Sequence, residues 1–211
     1  MLIFFMVTQF LNNNGSNPAE YCDAYDAHVD ANPSEGLDVT FSTVFSGAGY
    51  RTYHPNDNDV AMGTWIVESR TGSDILIETF TVETLSADTG AYDWEYGGGL
   101  IDVQDHVMWC YLVEDISGTV LGGPQAPIGT WRLIDFAPNI VVGSSGVRFT
   151  LYCDFSSEDP AETYDLFAVD TSPTLIQAEN DVGDSVDVTV FQNSDPSTGV
   201  ATPKFAIRLD G

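Results

Sequence analysis

An all-β sandwich is the fold class this chain predicts, on three observations. Eight to ten short runs rich in β-branched and aromatic residues follow one another from residue 37 onward. Clusters of Gly, Pro, Asn, Asp and Ser separate them, and only one helical pattern stands before them. A jelly roll of eight to ten strands is the sandwich whose strand number and long connections fit best. An immunoglobulin-type sandwich has fewer strands, and its Cys/Trp spacing is absent. The predicted organisation is an extended apolar arm and polar linker at 1–17, a short helix at 18–33 and a β-sandwich at 34–211.

The arm, MLIFFMVTQFL, is too short to span a bilayer and has neither the basic start nor the small-residue cleavage site of a leader peptide. Left exposed on a monomer it would aggregate. Its apolar residues Leu2, Ile3, Phe4, Phe5, Val7, Phe10 and Leu11 must therefore fold back or pack onto another copy, and the linker NNNGSNP lets them reach outward. In the helix Asn17 caps, Pro18 suits the first turn and Glu20 favours the N-terminal dipole. Tyr21, Cys22, Tyr25, His28 and Val29 share one face, and Asn32-Pro33 ends it.

Strand runs follow at 37–43, 60–68 and 74–84, with SRTGSD between the last two as a hairpin turn. After the long connection ADTGAYDWEYGGG comes 107–113, seven apolar residues in a row, which predicts a strand buried on both faces. Residues 116–121 continue it past a bulge at Ser117-Gly118. The run 130–136 is next, and then 147–155, the cleanest alternation. There Val147, Phe149, Leu151, Cys153 and Phe155 point inward, and Arg148, Thr150, Tyr152 and Asp154 outward. Runs at 164–169, 185–191 and 204–209 close the chain.

Charge sets the environment. The 211 residues carry 32 acidic and 6 basic side chains, a net of -26, with 43% hydrophobic residues. A core of ordinary size is therefore affordable, and the acids, 22 Asp and 10 Glu, are scattered over a globular sequence instead of forming a tail. Such a surface repels itself unless salt screens it. The Asp-rich, Lys-poor composition resembles that of proteins from extreme halophiles, archaeal ones especially; an acidic extracellular Ca²⁺-loaded protein is the alternative. Six scattered cations assemble no basic stripe, so nucleic acid is excluded as a partner.

No residue set names a reaction. There is no G-x-S-x-G elbow, P-loop or H-E-x-x-H, and 97–99 is a glycine run with no helix after it. With 32 carboxylates, a pair at glycosidase separation would be coincidence. His28, His54 and His106 fall on a helix, a loop and a strand start, without the local spacing of a zinc site. Asp57 and Asp59 in HPNDND, like Asp23, Asp26 and Asp30, offer oxygen ligands for Ca²⁺ or Na⁺, yet neither stretch has an EF-hand pattern. No cofactor and no catalytic residue is assigned. Cys110 and Cys153 can pair if their strands are neighbours; with Cys22 they make three cysteines, not a secreted framework. Trp65, Trp109 and Trp131 read as core, whereas Tyr92, Trp94 and Tyr96 on a loop read as an exposed aromatic contact.

A sandwich without a reaction motif, an apolar arm on a polar linker and a high-salt surface together resemble the structural proteins of haloarchaeal viruses, among them single jelly-roll capsid subunits. The resemblance is one of composition and architecture. It implies a non-enzymatic virion subunit, made in the host cytoplasm, that partners copies of itself and other structural proteins of the same particle. The alternatives are an extracellular filament or pilus subunit using the arm as donor strand, and a carbohydrate- or receptor-binding module.

Overall fold

The computed structural model describes residues 35–42, 49–88, 95–96, 103–128, 133–160, 164–191, 203 and 205–211. The arm, the linker and the N-terminal helix lie outside the described residues, as do Tyr92, Trp94 and Trp131. Strands make up about two thirds of the described residues, and nearly all the regular structure. In order these are β1 (Gly36–Ser42), β2 (Gly49–Tyr53), β3 (Val60–Ser69), β4 (Ile75–Asp88) and β5 (Glu95–Tyr96). One helical turn, α1 (Val103–His106), leads into β6 (Val107–Glu114), followed by β7 (Val120–Gln125), β8 (Ile134–Phe136), β9 (Ile140–Val142) and β10 (Val147–Phe155). Then come β11 (Tyr164–Asp170), β12 (Ile176–Asn180), β13 (Asp187–Phe191) and β14 (Phe205–Asp210). Ten of these answer to the ten apolar runs. The four additions are β2, β5, β9 and β12, which are short or, like IQAEN in β12, mostly polar.

Two sheets form the predicted sandwich. The first has the order β13-β1-β3-β10-β6-β7; the second runs β12-β4-β11-β14-β2, with β5, β8 and β9 also pairing with the long β4. All pairs are antiparallel except β1 with β13 and β2 with β14. Two connections differ from the sequence expectation. The segment 69–74 is no hairpin: β3 and β4 belong to different sheets, so this turn carries the chain from one layer to the other. Residues 116–119 are the turn of a true hairpin, and β7 returns beside β6 instead of prolonging it. The Glu114 carboxylate fixes that turn by accepting from the Ile116 and Ser117 N–H groups, both at 2.8 Å, and Gly118 takes the left-handed φ of 69° that completes it.

The inner faces meet in one apolar core around Trp65, whose ring has Phe41, Phe80 and Phe149 about it, at centroid distances of 5.6, 5.4 and 6.2 Å. Gly63 stands where a Cβ would lie 2.7 Å from Val169 and 2.8 Å from Phe41, so the layers close only over a glycine there. Strand β10 follows its predicted alternation with one exception: Phe149, Leu151, Cys153 and Phe155 are buried and Val147 packs against the core, but Thr150, expected outward, is buried too, bonded to Thr64. The prediction that 107–113 is buried on both faces is overturned. Val107, Cys110 and Leu112 are core, but Met108 and Trp109 are 42% and 47% exposed, because a bulge opposite Asp154 and Phe155 turns both outward. Among the described strands β11 is enclosed on both faces, as is the first half of β3. Phe167 and Val169 join the main core, while Ala168 joins Leu85 and Ala206 in a second cluster on the other side of the sheet.

Cys110 and Cys153 form a disulfide across directly paired positions of β6 and β10. At the far side of the same sheet Arg70, just past β3, binds the edge. Its Nε reaches Asp38 on β1 at 2.7 Å, its Nη1 reaches Asp187 on β13 at 2.9 Å and its Nη2 bonds the Thr189 hydroxyl. Gly36 makes room for this guanidinium, since a Cβ there would fall 2.6 Å from Nη1. One of few cations in the chain thus holds the parallel strand β13 onto β1.

Candidate functional site: an aromatic hollow and an open strand edge

The outward face of the first sheet carries a row of side chains that sequence reasoning assigned elsewhere. On β6 and β10 the rung Trp109/Asp154 is followed, one disulfide rung later, by Tyr111/Tyr152 and then by Val113/Thr150. Val120 on β7 is paired with Val113. Tyr111, Val113, Val120, Tyr152 and Asp154, with Asn58 and Asp59 from the loop before β3, line a shallow hollow of about 360 Å³. Beyond Val113 the face turns polar. The Thr64 hydroxyl donates to Thr150, which donates to Asp115 at 2.8 Å, and Asp115 pairs with Arg148 at 2.7 Å.

The loop over this hollow is strapped to the sheet. Asn56 N–H donates to the Ser156 carbonyl and Phe155 N–H to the Asp57 carbonyl, each at 2.8 Å. Asp57 caps its own turn, its carboxylate accepting from the His54 N–H at 2.8 Å. Asn56 and Asp59 both hold left-handed backbone, φ 67° and 54°, and the Asp59 N–H donates to the Asp154 carboxylate at 3.0 Å. Asp57 and Asp59 thus serve as a turn cap and a rim residue, and among the described residues no three His, Cys, Asp or Glu side chains gather as metal ligands. Tyr96 pairs with Leu85 through β5, and its partners Tyr92 and Trp94 lie outside the described residues. The signal that could have found Tyr111 and Tyr152 is the register of β6 against β10, which the inward pairing of Cys110 with Cys153 fixes and which no single strand reveals.

The second feature is an edge. Strand β13 pairs with β1 and, among the described residues, with no strand on its other side. Its sequence DVTVF has neither Gly nor Pro; its one charge, Asp187, is engaged by Arg70, and Phe191 is 56% exposed. The opposite edge, β7, is interrupted by Gly122, Gly123 and Pro124 and by two register shifts against β6. Such interruptions blunt an edge against strand addition, and β13 has none of them.

Two polar pairs complete the picture, one buried and one between a half-buried and a buried carboxyl. His106, placed by its sequence position at a strand start, is buried: its Nε2 lies 3.4 Å from an Asp165 oxygen and its ring 5.6 Å from that of Phe167, so it ties α1 to the second sheet. On β4, Glu83 sits directly opposite the fully buried Asp170. Burial first, and the Asp170 charge second, hold the Glu83 carboxyl above its ordinary value of 4.5. A raised folded-state value means that Glu83 supports the fold fully below its unfolded value and that this support is lost as pH rises through the folded one. Glu83→Gln should therefore raise the melting temperature by a few degrees at pH 7, with the gain vanishing below about pH 4.5. Equal shifts at both pH values in paired calorimetric scans would show that Glu83 carries no such penalty.

No family model matches the chain, and no curated protein matches it. Solved structures to which it is similar include the apo-form Calx CBD1 domain, at TM-score 0.31 and 11% identity over 82% of this chain and 95% of that one. A type III cohesin module from the cell-surface anchoring scaffoldin ScaE of Ruminococcus flavefaciens gives 0.31 and 11%, over 87% and 92%. AvmM, which catalyzes macrocyclization in alchivemycin A biosynthesis, gives 0.40 and 9%, over 83% and 89%. Scores this low carry neither a residue correspondence nor a function across.

Proposed function

We propose that the chain is a non-enzymatic structural subunit of a virion from a virus of a halophilic archaeon, joined to its neighbours through the β13 edge. An edge with no strand on its outer side among the described residues is the observation that carries this reading. An open strand without Pro, Gly or a free charge, ending in an exposed Phe191, is a template for a strand from another chain. The apolar arm Met1 to Leu11 has the composition of such a strand. A net charge of -26 suits a particle that works in brine, where screening lets like-charged subunits approach. Subunits of this kind are made in the host cytoplasm and act outside it.

Light scattering in ~3 M NaCl, where the Debye length is only a few Å, tests the reading. The full chain should form large assemblies. Phe191→Lys, which places a charge on the edge, and deletion of residues 1–11 should each leave folded monomers. A monomeric full chain would sink the proposal, as would assemblies indifferent to both changes. Microscopy of the assemblies then separates a shell from a filament.

A further inference from the structure

We infer that the hollow between Tyr111 and Tyr152 is a binding site for a neutral saccharide, a function separate from assembly. Its floor is aromatic and apolar: the two tyrosines share one rung, Val113 and Val120 flank them, and half-exposed Trp109 extends the row opposite Asp154. Aromatic rings of this kind present an apolar face to the C–H side of a pyranose while their hydroxyls stay available for hydrogen bonding. The rim supplies what sugar hydroxyls need, since Asp59 and Asp154 accept and Asn58 both donates and accepts. A volume of about 360 Å³ falls in the range of small-ligand sites.

Two further properties narrow the ligand. The floor is held in place beforehand: the Cys110–Cys153 bond lies on the rung next to Tyr111/Tyr152, on the core side, and the Asp59 N–H orients Asp154. Little ordering therefore remains to be done on binding. Charge excludes anions, because the rim is acidic, no arginine lines the hollow and the chain is strongly negative. Stacking and neutral hydrogen bonds also persist at molar salt, where ionic contacts are screened. An uncharged sugar face satisfies all of these conditions. A protein knob has no equal use for a rim of acceptors.

The test uses the full chain in ~3 M NaCl, a regime of strong screening, with calorimetric titration of neutral hexasaccharides of glucose, mannose and N-acetylglucosamine. A polygalacturonate oligosaccharide serves as the acidic control. At least one neutral probe should bind and the acidic one should not. Tyr111→Ala and Tyr152→Ala should each weaken binding about tenfold, whereas Tyr111→Phe, which keeps the ring, should retain most of it. Unchanged melting of each variant shows that the sheet is intact; where an alanine variant fails to fold, Asp154→Asn supplies the readout, with a smaller expected loss. Failure of every neutral probe to bind, or binding that survives both tyrosine substitutions, overturns the inference. So does self-association that depends on the tyrosines, which would assign the hollow to protein contact. Assembly through β13 uses other residues, so either reading can fall without the other.

Discussion

Replacing Cys110 and Cys153 together by alanine should cost about 2–4 kcal/mol, among the largest effects of any change outside the aromatic core. The bond closes a loop of 43 residues, and in the chain-entropy account such a cross-link removes roughly 4 kcal/mol of freedom from the unfolded chain. Both cysteines are fully buried, so alanine also removes packing, whereas serine would add buried hydroxyls to the same defect. Urea titration of the double variant against the parent, each at ~3 M salt, measures the loss. An unchanged midpoint would mean that the ladder between β6 and β10 holds without its staple. Because reductant reaches the bond only when the sheet opens, reduction of the folded protein should also be slow and should accelerate with denaturant.

Salt should matter as much. Between molar and tens-of-millimolar NaCl the Debye length grows from about 3 Å to beyond 10 Å, so each carboxylate begins to feel many others. With a net charge of -26 the fold should lose several kcal/mol, a fall in melting temperature of roughly 10–20 °C for a domain of this size. Three of the few arginines are already committed to ion pairs, with Asp38 and Asp187, with Asp115 and with Asp210. They offer little further compensation. A flat melting temperature across this range would remove the argument for a high-salt habitat, whatever the fold. The same titration in potassium chloride would show whether screening alone is at work, since screening depends on ionic strength and not on the cation.

Much of the architecture was legible because the inward faces of the long strands are written as alternation. Leu37 and Val39, Phe149 and Leu151, and Ile207 and Leu209 all point where their spacing says. What escaped was the information that belongs to pairs of strands. The run at 107–113 is apolar throughout, and periodicity alone cannot say that a bulge opposite Asp154 turns Met108 and Trp109 to solvent. The turn 69–74 has hairpin chemistry, yet its strands enter different layers because β1 and β10 already occupy both sides of β3. The candidate site suffers most from this limit. Tyr111 and Tyr152 are 41 positions apart in sequence and meet only through register, and Asn58 reaches them from a third segment.

The two parallel pairs have a mechanical consequence. β1, the first described strand, lies along β13, and β14, the last described strand, lies along β2, so both are held lengthwise by neighbours. Traction directed along either ladder would load its strands in shear. All five paired positions of each parallel ladder would then have to yield together, not one after another as in a hairpin peeled from its tip. Arg70, bridging Asp38 and Asp187, adds a charged rivet across one of the loaded seams. A domain built this way resists stretching along the axes of these two ladders, however its surroundings apply the load.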